Sequence, residues 1–165
     1  MLSKEVQKAI GEQINDEFYS AYLYLSMSAY CGTLNLLGFA HWMRLQSQEE
    51  VTHAMKLFDF VHDRGGHVVL KAIDQPPAKF KSPLDVMDQA LAHERQVTAM
   101  IHKLYEFATK QKDYATLAQL QWFLLEQVEE EKNASEIVQQ LKLAGNQGPA
   151  LLLLDRQLGG RTLGH

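Results

Sequence analysis

At 165 residues, with 46% hydrophobic and 22% charged side chains, the chain has the size and composition of one soluble globular domain whose core needs neither disulfides nor metal. A net charge of −4 has the wrong sign for a nucleic-acid partner, and a single cysteine, Cys31, excludes an internal disulfide. The start, Met-Leu-Ser-Lys-Glu-Val, lacks the apolar stretch of a signal peptide. The longest aliphatic run, Ala150 to Leu154, is far short of the ~20 residues that cross a bilayer, so a cytoplasmic protein with no membrane partner is expected.

Ser3 is a good N-cap, and a first helix is predicted from there to about Gly32. Thr33 to Asn35 make a short turn, so a second helix, about Leu36 to Arg64, should lie antiparallel to the first. Gly65-Gly66 stops it. From there to Lys81 no helical period exists, and Pro76-Pro77 forbids one. Extended, residues 65–81 reach roughly 55 Å, whereas a thirty-residue helix is about 45 Å long. The segment can therefore run the length of a bundle and start the third helix at the opposite end. Ser82-Pro83 restarts the helical pattern, with Asp85 in the first turn, and the third helix runs to about Gln111. Asp113 caps a fourth, which continues to about Leu143 and ends at Gly145. Gly148-Pro149 opens a short fifth helix to about Leu158, closed by Gly159-Gly160. The expected organisation is all-α: a single domain over 1–165, a four-helix bundle over about 4–143, and a short helix over about 149–158.

Each long helix carries a narrow seam at steps of three and four, the stripe that turns toward neighbouring helices. The second reads Phe39, Met43, Gln46, Glu50, His53, Leu57, Phe60. The first reads Ile10, Ile14, Glu17, Ala21, Tyr24, Ser28, Cys31. The third reads Met87, Ala90, Glu94, Val97, Ile101, Leu104, Ala108, and the fourth Leu120, Phe123, Gln127, Glu130, Ala134, Ile137, Leu141. Each seam is broken by one glutamate near the middle of its helix, so the four should meet in one layer whichever way each helix points. Glu50 and His53, three apart, share a face and can share a metal ion.

Removing a lone carboxylate from water costs several kcal/mol even after relaxation. Four together also repel, and none of the seams holds a Lys or Arg to neutralise them. Two divalent cations would balance the charge. Oxygen ligands with one imidazole and no thiolate cluster suit iron or manganese better than structural zinc. A single inward Glu is more often a snorkelling or water-bound side chain than a ligand, and Glu-x-x-His arises by chance. Four coincident interruptions at one level are a different matter.

Glu17, Glu50-x-x-His53, Glu94 and the run Glu126-Gln127-Val128-Glu129-Glu130-Glu131-Lys132 resemble the bacterial non-haem ferritins, over essentially the whole chain. That resemblance implies a ferritin-like antiparallel four-helix bundle with a long crossover between helices 2 and 3 and a short fifth helix. It implies a ferroxidase centre in which Glu17, Glu50 and His53 hold one iron and Glu50, Glu94 and Glu130 hold the other. Gln127 then lies beside the pair, holding a water. A third iron position is implied at Glu49, Glu126, Glu129 and Glu130. Tyr24 matches the family tyrosine that hydrogen-bonds near the centre and can give up an electron, with Trp122 as its helper. The function implied is oxidation of Fe(II) by dioxygen or hydrogen peroxide and storage of ferric mineral, in a closed shell of twenty-four subunits.

Departures from related families narrow the reading. Haem-binding bacterioferritins place a methionine directly after the bridging Glu, where this chain has Val51, and Glu-x-x-His on the fourth helix, where it has Gln127-x-x-Glu130; no haem is expected. One cysteine cannot supply the Cys-x-x-Cys iron domain of rubrerythrins. The consecutive Leu151, Leu152, Leu153 and Leu154 are too apolar all round for one side of a monomer and predict burial between subunits. His41, His62, His67, His93, His102 and His165 fall off the seams and are expected at the surface or an interface. Two readings from other classes stand beside storage: a di-iron oxygenase or peroxidase serving oxidative-stress defence, which needs an open pocket at the metals, and a metal-free helical regulator, which would bind no stoichiometric Fe(II).

Overall fold

The computed structural model describes residues 1–164. Among them are five helices and no strand: α1 (Lys4–Thr33), α2 (Leu37–Asp63), α3 (Pro83–Lys110), α4 (Tyr114–Ala144) and α5 (Gly148–Leu158). The predicted caps form. Ser3 Oγ accepts from the Val6 amide, Ser82 Oγ from Asp85 and Asp113 Oδ1 from Thr116, each satisfying an otherwise unpaired first-turn donor. Pro83 occupies the first turn of α3, where its missing N–H costs nothing. Gly145 closes α4 at φ +56, in the left-handed region that suits glycine.

Two hydrophobic clusters fix the directions of the rods. One joins the C-terminal half of α1 (Tyr24, Met27) and the N-terminal halves of α2 (Phe39, Met43) and α3 (Met87, Ala90) to the C-terminal half of α4 (Ile137, Leu141). The other joins the opposite halves, through Ile10, Leu57, Ile101 and Leu120. So α1 and α4 run one way, α2 and α3 the other, and the 64–82 connection must climb from one end to the other. It does so along α1. The His67 amide donates to Gln7 Oε1 at 3.1 Å, Lys71 pairs with Glu12 at 3.8 Å, Ser26 Oγ donates to the Pro77 carbonyl at 2.6 Å, and Phe80 packs at a tilt against Tyr30 with centroids 5.3 Å apart. From Gln7 to Tyr30 is about 35 Å of helix, which an extended strap covers.

Helix α5 folds back on α2 and α4. Leu154 and Leu158 enter the first cluster and Leu151 packs against it, while Leu152 and Leu153 remain 61% and 69% exposed. The leucine run is thus divided: half is core within the chain, and half faces outward as the expected inter-subunit surface. Docking depends on Gly38, where an added Cβ would lie 1.6 Å from the Asp155 carbonyl oxygen. Asp155 Oδ1 also accepts from the Phe39 amide at 2.8 Å. Gly38→Ala should therefore push α5 away and destabilise the chain by about 2 kcal/mol or more, read as a lowered denaturant midpoint. An unchanged midpoint would mean that α5 is not seated there.

Candidate metal centre

Between the two clusters lies a polar layer. Glu17, Glu50, His53, Glu94 and Glu130, one or two from each long helix, are all buried. They are inward because each sits on a seam whose other members, three and four residues away, are core. Their ligand atoms converge in two sets, Glu17 with Glu50 and His53, and Glu50 with Glu94 and Glu130. Within each set the atoms lie within 4.8 Å of one another, and Glu50 belongs to both. His53 Nδ1 is 3.1 Å from Glu50 Oε2 and 3.9 Å from Glu17 Oε2. Nε2 of the same ring faces Glu126 at 3.8 Å, and His53, Glu126 and Glu130 form a further set that can meet at one point.

A ring of neutral donors holds the acids. Gln13 Nε2 donates to Glu17 at 2.8 Å, Gln46 Nε2 to Glu130 and the Tyr24 hydroxyl to Glu94. Gln127 Nε2 lies 3.1 Å from Glu94 Oε2 and 3.2 Å from the Thr98 hydroxyl. Ring contacts brace His53, whose centroid is 5.3 Å from that of Trp122 and 6.2 Å from that of Phe123, both edge-on.

Charge in so dry a layer is expensive, and all four carboxyls are shifted toward the neutral form. Burial, then the neighbouring Glu50 carboxylate, raises Glu17 well above its ordinary range. Burial, with Glu94 and Glu130 next, raises Glu50 likewise. Glu94 is raised by burial against the pull of the Tyr24 and Gln127 hydrogen bonds. Glu130 is pushed up to about 8 by burial and then by Glu94. Burial and Glu94 together also hold the Tyr24 phenol well above its usual value, as a neutral donor. Either protons or divalent cations can offset that charge, and the donor set fits the cations: carboxylate oxygens, one imidazole, no thiolate.

A family profile described as Ferritin, Ferritin-like domain, matches residues 7–144. The chain belongs to the ferritin family. The bacterial non-heme ferritin of Staphylococcus haemolyticus is 40% identical to it over 162 residues, 98% of each chain, and that of Staphylococcus aureus is 38% identical over the same share. Among solved structures, an open pore ferritin from the hyperthermophilic archaeon Archaeoglobus fulgidus is similar at a TM-score of 0.97 and 49% identity, over 98% of this chain and 100% of that one. A humanized archaeal ferritin is similar at 0.98 and 47%, over 100% of both.

In this ferritin the other residues singled out from the sequence are placed less uniformly. Gln127 and Tyr24 touch the layer through Glu94. Glu126 reaches its edge beside His53, Glu129 is exposed, and Glu49 turns to Arg161. Of the six histidines expected at the surface or an interface, His62, His67 and His102 are exposed and His41 is half-buried; His165 lies outside the described residues. His93 needs correcting: it is buried, with Nε2 2.7 Å from Ser20 Oγ, and burial lowers it to about 4. It flanks Glu94 on α3, so the packing of α1 against α3 covers it; periodicity marks the seam and not its shoulders. Sequence reasoning also left Gln13, Thr98 and Arg161 unread. Gln13 carried a signal, standing one turn before Glu17.

Proposed function

We propose that this chain is a ferroxidase and iron store in which Fe(II) binds the buried layer as substrate and is oxidised there. One observation carries the reading: Glu50 belongs to two ligand sets that meet inside one bundle. On this reading Glu17, Glu50 and His53 hold one iron, Glu50, Glu94 and Glu130 the other, and Gln127 presents a water. Two adjacent Fe(II) ions give two electrons to one oxidant. With dioxygen the balance is two Fe(II), O₂ and two protons giving two Fe(III) and H₂O₂; with hydrogen peroxide, two Fe(II), H₂O₂ and two protons give two Fe(III) and two waters. The carboxyl protons released on binding are the local supply. On this reading Tyr24 donates a hydrogen bond to the ligand Glu94, and Trp122 packs edge-on against the ligand His53, so both help hold the pair in place. Glu49, Glu126, Glu129 and Glu130 make the third position, toward which product iron leaves.

Storage needs a container. The exposed Leu152 and Leu153, and the apolar Val69, Leu70 and Ile73 of the strap, support self-association into a closed shell, of twenty-four subunits by family analogy. Among the described residues no helix is long and apolar enough to cross a membrane, and the setting proposed is cytoplasmic. Both hydrophobic clusters close directly on the layer, which favours a store over an oxygenase with an organic substrate. Aerobic Fe(II) loading followed by light scattering and iron analysis tests this. A large particle holding far more ferric iron than the layer can bind is expected; a monomer or dimer carrying only two irons per chain would defeat the storage reading.

A further inference from the structure

Beyond α5 the chain returns to α2 and lays one guanidinium across it. Arg161 Nη2 donates to Glu49 Oε2 at 2.6 Å, and Nη1 to Gln46 Oε1 at 2.9 Å and the Trp42 carbonyl at 3.3 Å. The guanidinium stacks on the Trp42 ring, Cζ 4.6 Å from its centroid, and His41 Nε2 lies 2.8 Å from the Arg161 carbonyl oxygen. The Arg161 and Glu49 side chains are only 13% and 15% exposed. Such a pair, largely withdrawn from water and bonded on several sides, is held far more firmly than a surface ion pair.

Two consequences follow from where it sits. Gln46 accepts from Arg161 through its oxygen and donates to Glu130 through its nitrogen, so a continuous line of hydrogen bonds joins the C-terminal segment to the carboxylate layer. And Glu49 Oε2, one of the oxygens a third metal ion would use, already faces a permanent cation. A divalent ion on Glu49 would have to share the carboxylate with that like-charged guanidinium, which costs the ion affinity. We propose that Arg161 is a resident counter-cation that competes with a third metal ion for Glu49, while through Gln46 it orients Glu130, so that the C-terminal segment sets how tightly the third ion is held. Arg161 is on this account a positioning residue, and the inference rests on the reading of the layer and third position given above.

Anaerobic titration calorimetry with Fe(II), using the assembled protein, separates the two. Wild type should show two tight equivalents per chain and a weaker third. Arg161→Gln should strengthen the third about tenfold, an ordinary size for one coupled site, and, with Gln46 no longer held, weaken the equivalent bound against Glu130 while leaving the one against Glu17 and His53 unchanged. Arg161→Lys, which restores a cation beside Glu49, should return the third to its wild-type affinity, as loss of a purely structural residue would not. Glu49→Gln, made without disturbing the segment itself, should weaken the third equivalent. A third equivalent unchanged or weakened in Arg161→Gln, or absent from both proteins, overturns the proposal while leaving the layer intact. Absence of the two tight equivalents from wild type overturns the reading of the layer itself.

Discussion

Replacing Glu50 and His53 together by alanine should lower the initial rate of aerobic Fe(II) oxidation by about a hundredfold or more, because it removes ligands from both sets at once. Loss of residues that merely orient metal ligands typically costs 10–100-fold, and here the proposed ligands themselves go. Glu50 is the residue common to both groups, and His53 supplies the nitrogen donor of the first. Deleting a carboxylate from a layer where acids repel relieves some strain, while truncating His53 forfeits its contacts with Trp122 and Phe123. The variant should therefore still fold, and circular dichroism with light scattering serves as the control. Oxidation at the wild-type rate by a folded variant would mean that iron is oxidised elsewhere.

The second large effect is on stability and runs opposite to that of ordinary salt-bridged acids. A carboxyl raised on folding holds its proton in the native chain at pH values where the unfolded chain has lost it. Its contribution is complete below the unfolded value, near 4.5, and is lost as pH rises through the folded value, about 8 for Glu130. Glu17, Glu50 and Glu94 shift the same way. Metal-free protein should thus lose stability steadily between about pH 5 and pH 8. Because the four acids titrate together, the loss belongs to the layer as a whole and not to any one of them. Comparing denaturant unfolding of wild type with Glu130→Gln across that range cancels the background titration, and wild type should fall relative to the variant as pH rises. Two divalent ions should remove most of that slope and expel protons, which titration in buffers of different ionisation heat would count. Parallel curves for the two proteins, or metal binding without proton release at pH 6.5, would contradict this account of the layer.

What the sequence reveals is what repeats along a rod. Buried positions recur every three or four residues, so the four seams were readable, and so were the acids that interrupt them. Even there the regularity has a limit. On α2 the seam runs through Leu57 to Phe60, but the fully buried residue at that end is Val61. A straight helix of 3.6 residues per turn drifts away from a 3.5-residue stripe over its length. The long connection was legible for another reason: Pro76-Pro77 forbids helix, and length alone demands a traverse. Contacts made across the chain left no local trace. His93 finds Ser20 only once α1 and α3 pack, and Arg161 reaches Glu49 only because α5 docks over Gly38. The divided leucine run follows the same logic, since which half of α5 is core depends on where α2 and α4 receive it.

Crystals soaked anaerobically with Fe(II) and measured on both sides of the iron absorption edge test the central claim most directly. Two anomalous peaks per chain are predicted in the layer between the four long helices, one against Glu17 and His53, the other against Glu94 and Glu130, with Glu50 touching both. Peaks confined to the outer surface, or a layer with no anomalous peak, would contradict it.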